Sequence, residues 1–79
     1  MKTLREMEPG ERGRVMKVSG RKGIRRRLMD MGVVSGAEVT VERVAPLGDP
    51  VEIRLKGYYL AIRLEEAENI QLETDGDKQ

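Results

Sequence analysis

Seventy-nine residues make one domain, with no room for a second core or a large enclosed active site. The chain is 38% hydrophobic and 37% charged and has no cysteine and no histidine, which excludes disulfides, thiolate and imidazole metal sites, thiol nucleophiles and a base titrating near neutrality, and with them most enzyme classes. Net charge is +1, the amino end is charged throughout and no apolar run exceeds a few residues, so neither a secretory signal nor a membrane-spanning helix is expected and the chain reads as soluble and cytoplasmic.

Thr3-Leu4-Arg5-Glu6 has the spacing of a capping box and predicts one short helical turn. Pro9 stops it, and Pro9-Gly10 suits the two central positions of a type II turn. Residues 13–19 read as a strand with Val15 and Lys17 on one face and Met16 and Val18 on the other. From Gly23 to Gly32 the period changes: Ile24, Leu28 and Met31 form one helical stripe, Arg26 reaches Asp30 at i+4, and Gly32 stands where a left-handed cap is expected. Val39 and Val41 then alternate with Thr40 and Glu42, and Pro46-Leu47-Gly48-Asp49-Pro50 is a dense turn signal. Val51, Ile53 and Leu55 alternate with Glu52, Arg54 and Lys56, and Gly57 breaks the strand. Residues 58–64 put Leu60, Ile62 and Leu64 on one face. A helical turn at 65–68 and a last strand at 70–72 follow, and residues 74–79 read as a disordered polar tail.

Short strands separated by Gly and Pro predict a small antiparallel barrel or sandwich, mainly β, with the helix across one mouth. The expected core is Val15, Ile24, Leu28, Met31, Val39, Val41, Val51, Ile53, Leu60, Ile62, Ile70 and Leu72.

Chemistry-bearing constellations are few. Glu65, Glu66 and Glu68 lack the spacing of a calcium loop, and Met7, Met16, Met29 and Met31 suit gap-filling core positions better than a soft-metal site. No metal site and no cofactor are expected. Ser19 and Ser35 have no histidine to activate them, and the Gly-x-x-Gly spacings lack the Lys-Ser/Thr of a phosphate loop. The chain reads as a non-enzyme.

Charge is the strongest signal. Residues 1–40 hold ten Lys/Arg and five Asp/Glu, residues 41–79 five and nine. Arg25, Arg26 and Arg27 on one helix cannot all face a core. They admit three readings: a solvated face paired with the acidic half, a protein-docking surface, or contact with nucleic-acid phosphates. Against the last stand a pI near 8.1 and an aromatic content of only Tyr58 and Tyr59, too little for a base-stacking platform.

The order RRRLMDMG, then AEVTVERVAPLGDPVEIRLKGYYLAIRLEEAENI, closely resembles the FeoA domain family of bacterial ferrous-iron transport. The similarity runs from LREMEPGERGRV through Ile70. In combination, Arg26-Arg27-Leu28-x-x-Met31-Gly32 and Ala45-Pro46-Leu47-Gly48-Asp49-Pro50, followed by an amphipathic strand and Gly57-Tyr58, are specific. The resemblance implies a Src-homology-3-like antiparallel β-barrel of about five strands with a short inserted helix, a single domain over residues 1–73. It also implies a partner, the FeoB transporter, whose cytoplasmic GTPase domain gates ferrous-iron uptake. Such a module docks through loops and exposed side chains, here Leu47, Tyr58 and Tyr59, with Arg25, Arg26 and Arg27 steering toward an acidic surface. A nucleic-acid-binding small barrel and an iron-responsive regulatory domain are the alternatives.

Overall fold

In the computed structural model, which describes residues 1–74, six strands form one antiparallel sheet. They are β1 (Lys2–Thr3), β2 (Arg12–Val18), β3 (Glu38–Val44), β4 (Val51–Leu55), β5 (Tyr58–Ile62) and β6 (Ile70–Thr74), in the spatial order β1-β6-β2-β3-β4-β5. Two helices interrupt them, α1 (Lys22–Asp30) and α2 (Leu64–Ala67), and a 3-10 turn spans Leu4–Glu6.

The extra strand comes from the amino end. Thr3 pairs with Gln71 of β6 and then opens the expected turn, its N–H donating to Glu6 Oε1 at 2.8 Å. Leu4 is the reason the segment is held: it is fully buried, although charged neighbours hide it in the sequence. Glu8-Pro9-Gly10-Glu11 is the expected turn, closed by Glu11 N–H on Glu8 O at 3.0 Å with Gly10 at φ 92°. Of the polar tail, Thr74 is instead the buried last residue of β6, and residues 75–79 lie outside the described residues.

One buried cluster contains Leu72 from β6, next to one end of the sheet, and Ile62 from β5, at the other end, so the sheet must curl around it. Two irregularities bend the strands: the β2–β6 register slips between Val15 and Lys17, and the β3–β4 register between Val41 and Arg43. The first overturns the expected alternation of β2, because Met16 becomes the extra, exposed residue.

Nine of the twelve expected core residues are buried, while Ile24, Met31 and Leu60 pack only at its margin. Only Leu28 of α1 is fully inside, since a nine-residue helix lying on a small sheet covers one turn completely and its flanks in part. Leu60 is on an end strand with one neighbour. Leu4, Met7, Val33, Ala37, Leu55 and Ala67 complete the core. The strand expected to run to Leu64 ends at Ile62, because Leu64 already belongs to α2.

α1 ends as its glycine predicts. Gly32 sits at φ 93°, its N–H donates to Met29 O at 2.9 Å and Val33 N–H to Leu28 O at 2.9 Å, the paired bonds of a Schellman motif. Val33 and Leu28, the two residues such a motif brings together, are both fully buried.

Candidate docking surface

α1 carries the basic run on its outer side, and its three arginines have different surroundings. Arg27 Nε lies 3.2 Å from Glu66 Oε2. Glu66 is 3% exposed, and its other oxygen accepts the Arg63 N–H at 3.0 Å, so α2 holds a buried carboxylate satisfied from both sides. Arg27 keeps its side chain 63% exposed while making this pair. Among the described residues, the guanidiniums of Arg25 and Arg26 have no acid within salt-bridge distance. The expected Arg26–Asp30 pair does not form. Instead Arg25, Arg26 and Asp30, with Lys22, rim an open groove of about 490 Å³ whose apolar walls are Val18 and Met29. Met29 is not a gap-filling core residue but an exposed one, being one residue past Leu28 and so about 100° off the buried stripe.

The loop between β3 and β4 is rigidly built. Gly48 N–H donates to Ala45 O at 2.7 Å and Ala45 N–H to Pro50 O at 3.1 Å, which leaves Leu47 at the tip, 93% exposed. Asp49 ties the loop to α2: its Oδ1 accepts the Leu64 N–H at 3.0 Å and its Oδ2 faces Arg63 Nη2 at 3.3 Å. A carboxylate at a helix start satisfies a donor that the helix cannot satisfy itself.

The tyrosines divide as period two requires. Tyr58 shares the inward face of β5 with Leu60 and Ile62, yet lies past the core, where its hydroxyl donates to Met31 O at 3.0 Å. Tyr59 is on the outer face, 58% exposed. α1 is thus held at its carboxyl end, by Tyr58 on Met31 O and through Arg27, in its last turn, to Glu66 of α2, and α2 in turn holds the Leu47 loop. These contacts connect the three elements that carry the expected site residues. Arg25, Arg26, Leu47 and Tyr59 make no side-chain hydrogen bond to one another. Met29 and Val18 escaped sequence reasoning; the available signal was a methionine one step off the apolar stripe of a basic helix.

No group of three or more His, Cys, Asp or Glu side chains that could hold a metal ion occurs among the described residues, and none of their helices is long and apolar enough to cross a membrane.

Comparison with known proteins matches this architecture along its length. The FeoA domain family model covers residues 2–74. The Fe(2+) transport protein A/Fe(2+) transporter FeoB fusion protein of Porphyromonas gingivalis is 39% identical over 70 residues, 89% of this chain but only 8% of that much longer protein. Among solved structures, FeoA of Chlorobium tepidum is 43% identical with a TM-score of 0.85, over 94% of this chain and 70% of that one. FeoA of Stenotrophomonas maltophilia, crystallised with zinc and described as a procaryotic SH3 domain protein, is 27% identical with a TM-score of 0.79, over 92% and 91%. The curled six-stranded sheet with its short helix is therefore a Src-homology-3-like fold, and with sequence and structure agreeing over residues 2–74 the chain belongs to the FeoA domain family.

Proposed function

We propose that this chain is a non-catalytic accessory module of bacterial ferrous-iron transport that docks on the cytoplasmic GTPase side of a FeoB-type transporter. The observation that carries the reading is the Porphyromonas gingivalis relative, in which the two transport proteins are fused in one chain. Fusion replaces a bimolecular encounter with a high local concentration, which favours components that work in contact. The ferrous ion is cargo of the transporter in this reading, and the module contributes no ligand to it. The Stenotrophomonas maltophilia relative, described in terms of a bacterial ferrous iron transport activating factor, fits the same role.

The docking residues are Arg25, Arg26, Arg27, Leu47, Tyr58 and Tyr59. Arg25 and Arg26 supply unpaired charge that steers an acidic surface toward the groove, and Val18 and Met29 supply apolar contact within it. Leu47 presents an apolar tip on a fixed loop, and Tyr59 a rigid amphipathic one. Arg27 and Tyr58 keep the surface in shape through Glu66 and Met31 O.

The test is association with the isolated cytoplasmic GTPase domain of a FeoB-type transporter, measured against salt. Wild-type chain is expected to bind with a rate that falls as salt rises. The double reversal Arg25→Glu, Arg26→Glu should weaken binding by roughly tenfold or more, about 1.4 kcal/mol, mostly through slower association. Absence of binding, or indifference to the reversal, would overturn the assignment.

A further inference from the structure

β5 is an end strand: β4 lies on one side and, among the described residues, no strand lies on the other. The β4–β5 hairpin turns on two residues, Lys56 at φ 52° and Gly57 at φ 86°, the positive pair of a type I′ turn. In such a hairpin the residues flanking the turn, Leu55 and Tyr58, exchange both hydrogen bonds, and the pattern then alternates along the ladder. Ile53/Leu60 and Val51/Ile62 are bonded pairs, whereas Arg54/Tyr59 and Glu52/Ala61 are not. The main-chain N–H and C=O of Tyr59 and Ala61 therefore point away from β4 toward the open edge. Among the described residues neither has a backbone bond outside the ladder, and both residues are exposed.

End strands normally carry a guard against pairing with another chain: a charge, a proline, a bulge or very short length. β1, at the other end of the sheet, is two residues long. β5 is five residues, Tyr-Tyr-Leu-Ala-Ile, with no charge and no proline, and its ladder with β4 has no register shift.

We propose that this edge pairs with β5 of a second copy of the chain, antiparallel about a two-fold axis through Leu60. Self-complementarity selects that occupant. With Leu60 opposite the partner's Leu60, Tyr59 falls opposite the partner's Ala61, and Ala61 opposite the partner's Tyr59. These are the residues whose amides and carbonyls face outward, so one register satisfies all four groups on each side. On the outer face the large Tyr59 ring lies beside the small side chain of the partner's Ala61, twice. Arg63, which comes near the partner's Lys56, is already neutralised by Asp49 at 3.3 Å. One strand pair buries less than the roughly 1,200 Å² of a stable interface, so the dimer is weak, with a dissociation constant on the order of 0.1–1 mM. Each copy in the dimer has its Tyr59 covered by the other.

The test is sedimentation equilibrium of the full chain from about 10 µM to about 2 mM, a span that brackets the affinity given above. Wild-type chain should pass from monomer to dimer across it. Ala61→Pro removes an outward-facing N–H without removing a β4–β5 hydrogen bond, and Ala61→Lys places a charge against the partner's Tyr59. Both should remain monomeric, and an unchanged circular dichroism spectrum for Ala61→Lys keeps the comparison valid should Ala61→Pro unfold. A wild-type chain that stays monomeric at the top of the range, or a dimer that survives Ala61→Lys, overturns the proposal. The outcome does not depend on whether a transporter domain binds.

Discussion

The guanidinium of Arg27 and the carboxylate of Glu66, 39 positions apart, meet at 3.2 Å and join the basic helix to the short second one. Arg27→Ala leaves a buried carboxylate with only the Arg63 N–H to satisfy it. Breaking a buried pair costs several kcal/mol, but the arginine is largely exposed and water screens the pair, so a loss of about 1–2 kcal/mol is expected. Arg25→Ala and Arg26→Ala, whose guanidiniums have no ionic partner, should each change stability by less than about 0.5 kcal/mol. Urea denaturation of the three variants checks this. Equal effects would mean that Arg27 has no structural role.

The facing of β4 gives a second contrast. Ile53 is fully buried in the middle of β4, and Ile53→Ala should cost about 2–5 kcal/mol. Glu52, adjacent in sequence, points to the outer face, and Glu52→Ala should cost less than about 0.5 kcal/mol. Comparable losses from the two would contradict the register of β4 with β3 and β5.

β4 was legible in the sequence because both of its faces follow a strict period of two and a dense turn bounds it. The same holds for the capping of α1, where Gly32 marked the end of the helix and the Schellman bonds followed. What the sequence hid were interactions of long range. Leu4 sits among charged residues, and the pairing of β1 with β6 explains why its segment is drawn into the sheet, whereas Met7 takes the core position expected of it. The bulge at Met16 depends on the mismatch between two strands, which neither strand's own pattern records. At the candidate site, Tyr58 shares the inward face of β5 and is exposed because it lies past the core, whereas exposure of Leu47 and Tyr59 could be anticipated from loop position and alternation. The different surroundings of the three consecutive arginines could not, since Glu66 reaches Arg27 only through the tertiary fold. Their steric spacing predicted solvent-facing charge; it did not predict which charge was already taken.

A third expectation concerns Gly32. A side chain there must adopt φ near 93°, and its Cβ would stand 2.7 Å from the Tyr58 hydroxyl. Gly32→Ala combines backbone strain with loss of the Tyr58–Met31 bond and should cost about 2–4 kcal/mol. At Gly36 the φ is the same but no atom lies within 4 Å, so Gly36→Ala should cost only the strain, about 1 kcal/mol. In a Tyr58→Phe background the clash partner is gone, and Gly32→Ala should become milder. A thermal-melt double-mutant cycle reads the coupling directly, and a cycle that closes at zero would separate Gly32 from Tyr58.

The last expectation is a pH dependence located at the amino end. Glu11 Oε2 lies 2.7 Å from Lys2 Nζ, and its Oε1 accepts the Glu8 N–H at 2.9 Å. The lysine bond first, and the backbone N–H second, hold the Glu11 carboxyl below the usual carboxylate range. Glu6 is lowered as well, chiefly by the backbone N–H of Thr3 and then by its hydroxyl. A carboxyl with a depressed value in the fold binds protons more readily when the chain is unfolded. Its stabilisation is therefore complete above the unfolded value of about 4.3 and is lost as pH falls through the lower, folded value. The melting temperature should be level with respect to these groups from about pH 7 to about pH 5 and should decline below about pH 4.5. Glu11→Gln, which cannot ionise, should melt lower than wild type at neutral pH and lose less on acidification, so that the two curves converge in acid. Parallel curves over the whole range would show that the Lys2–Glu11 contact contributes nothing to acid sensitivity.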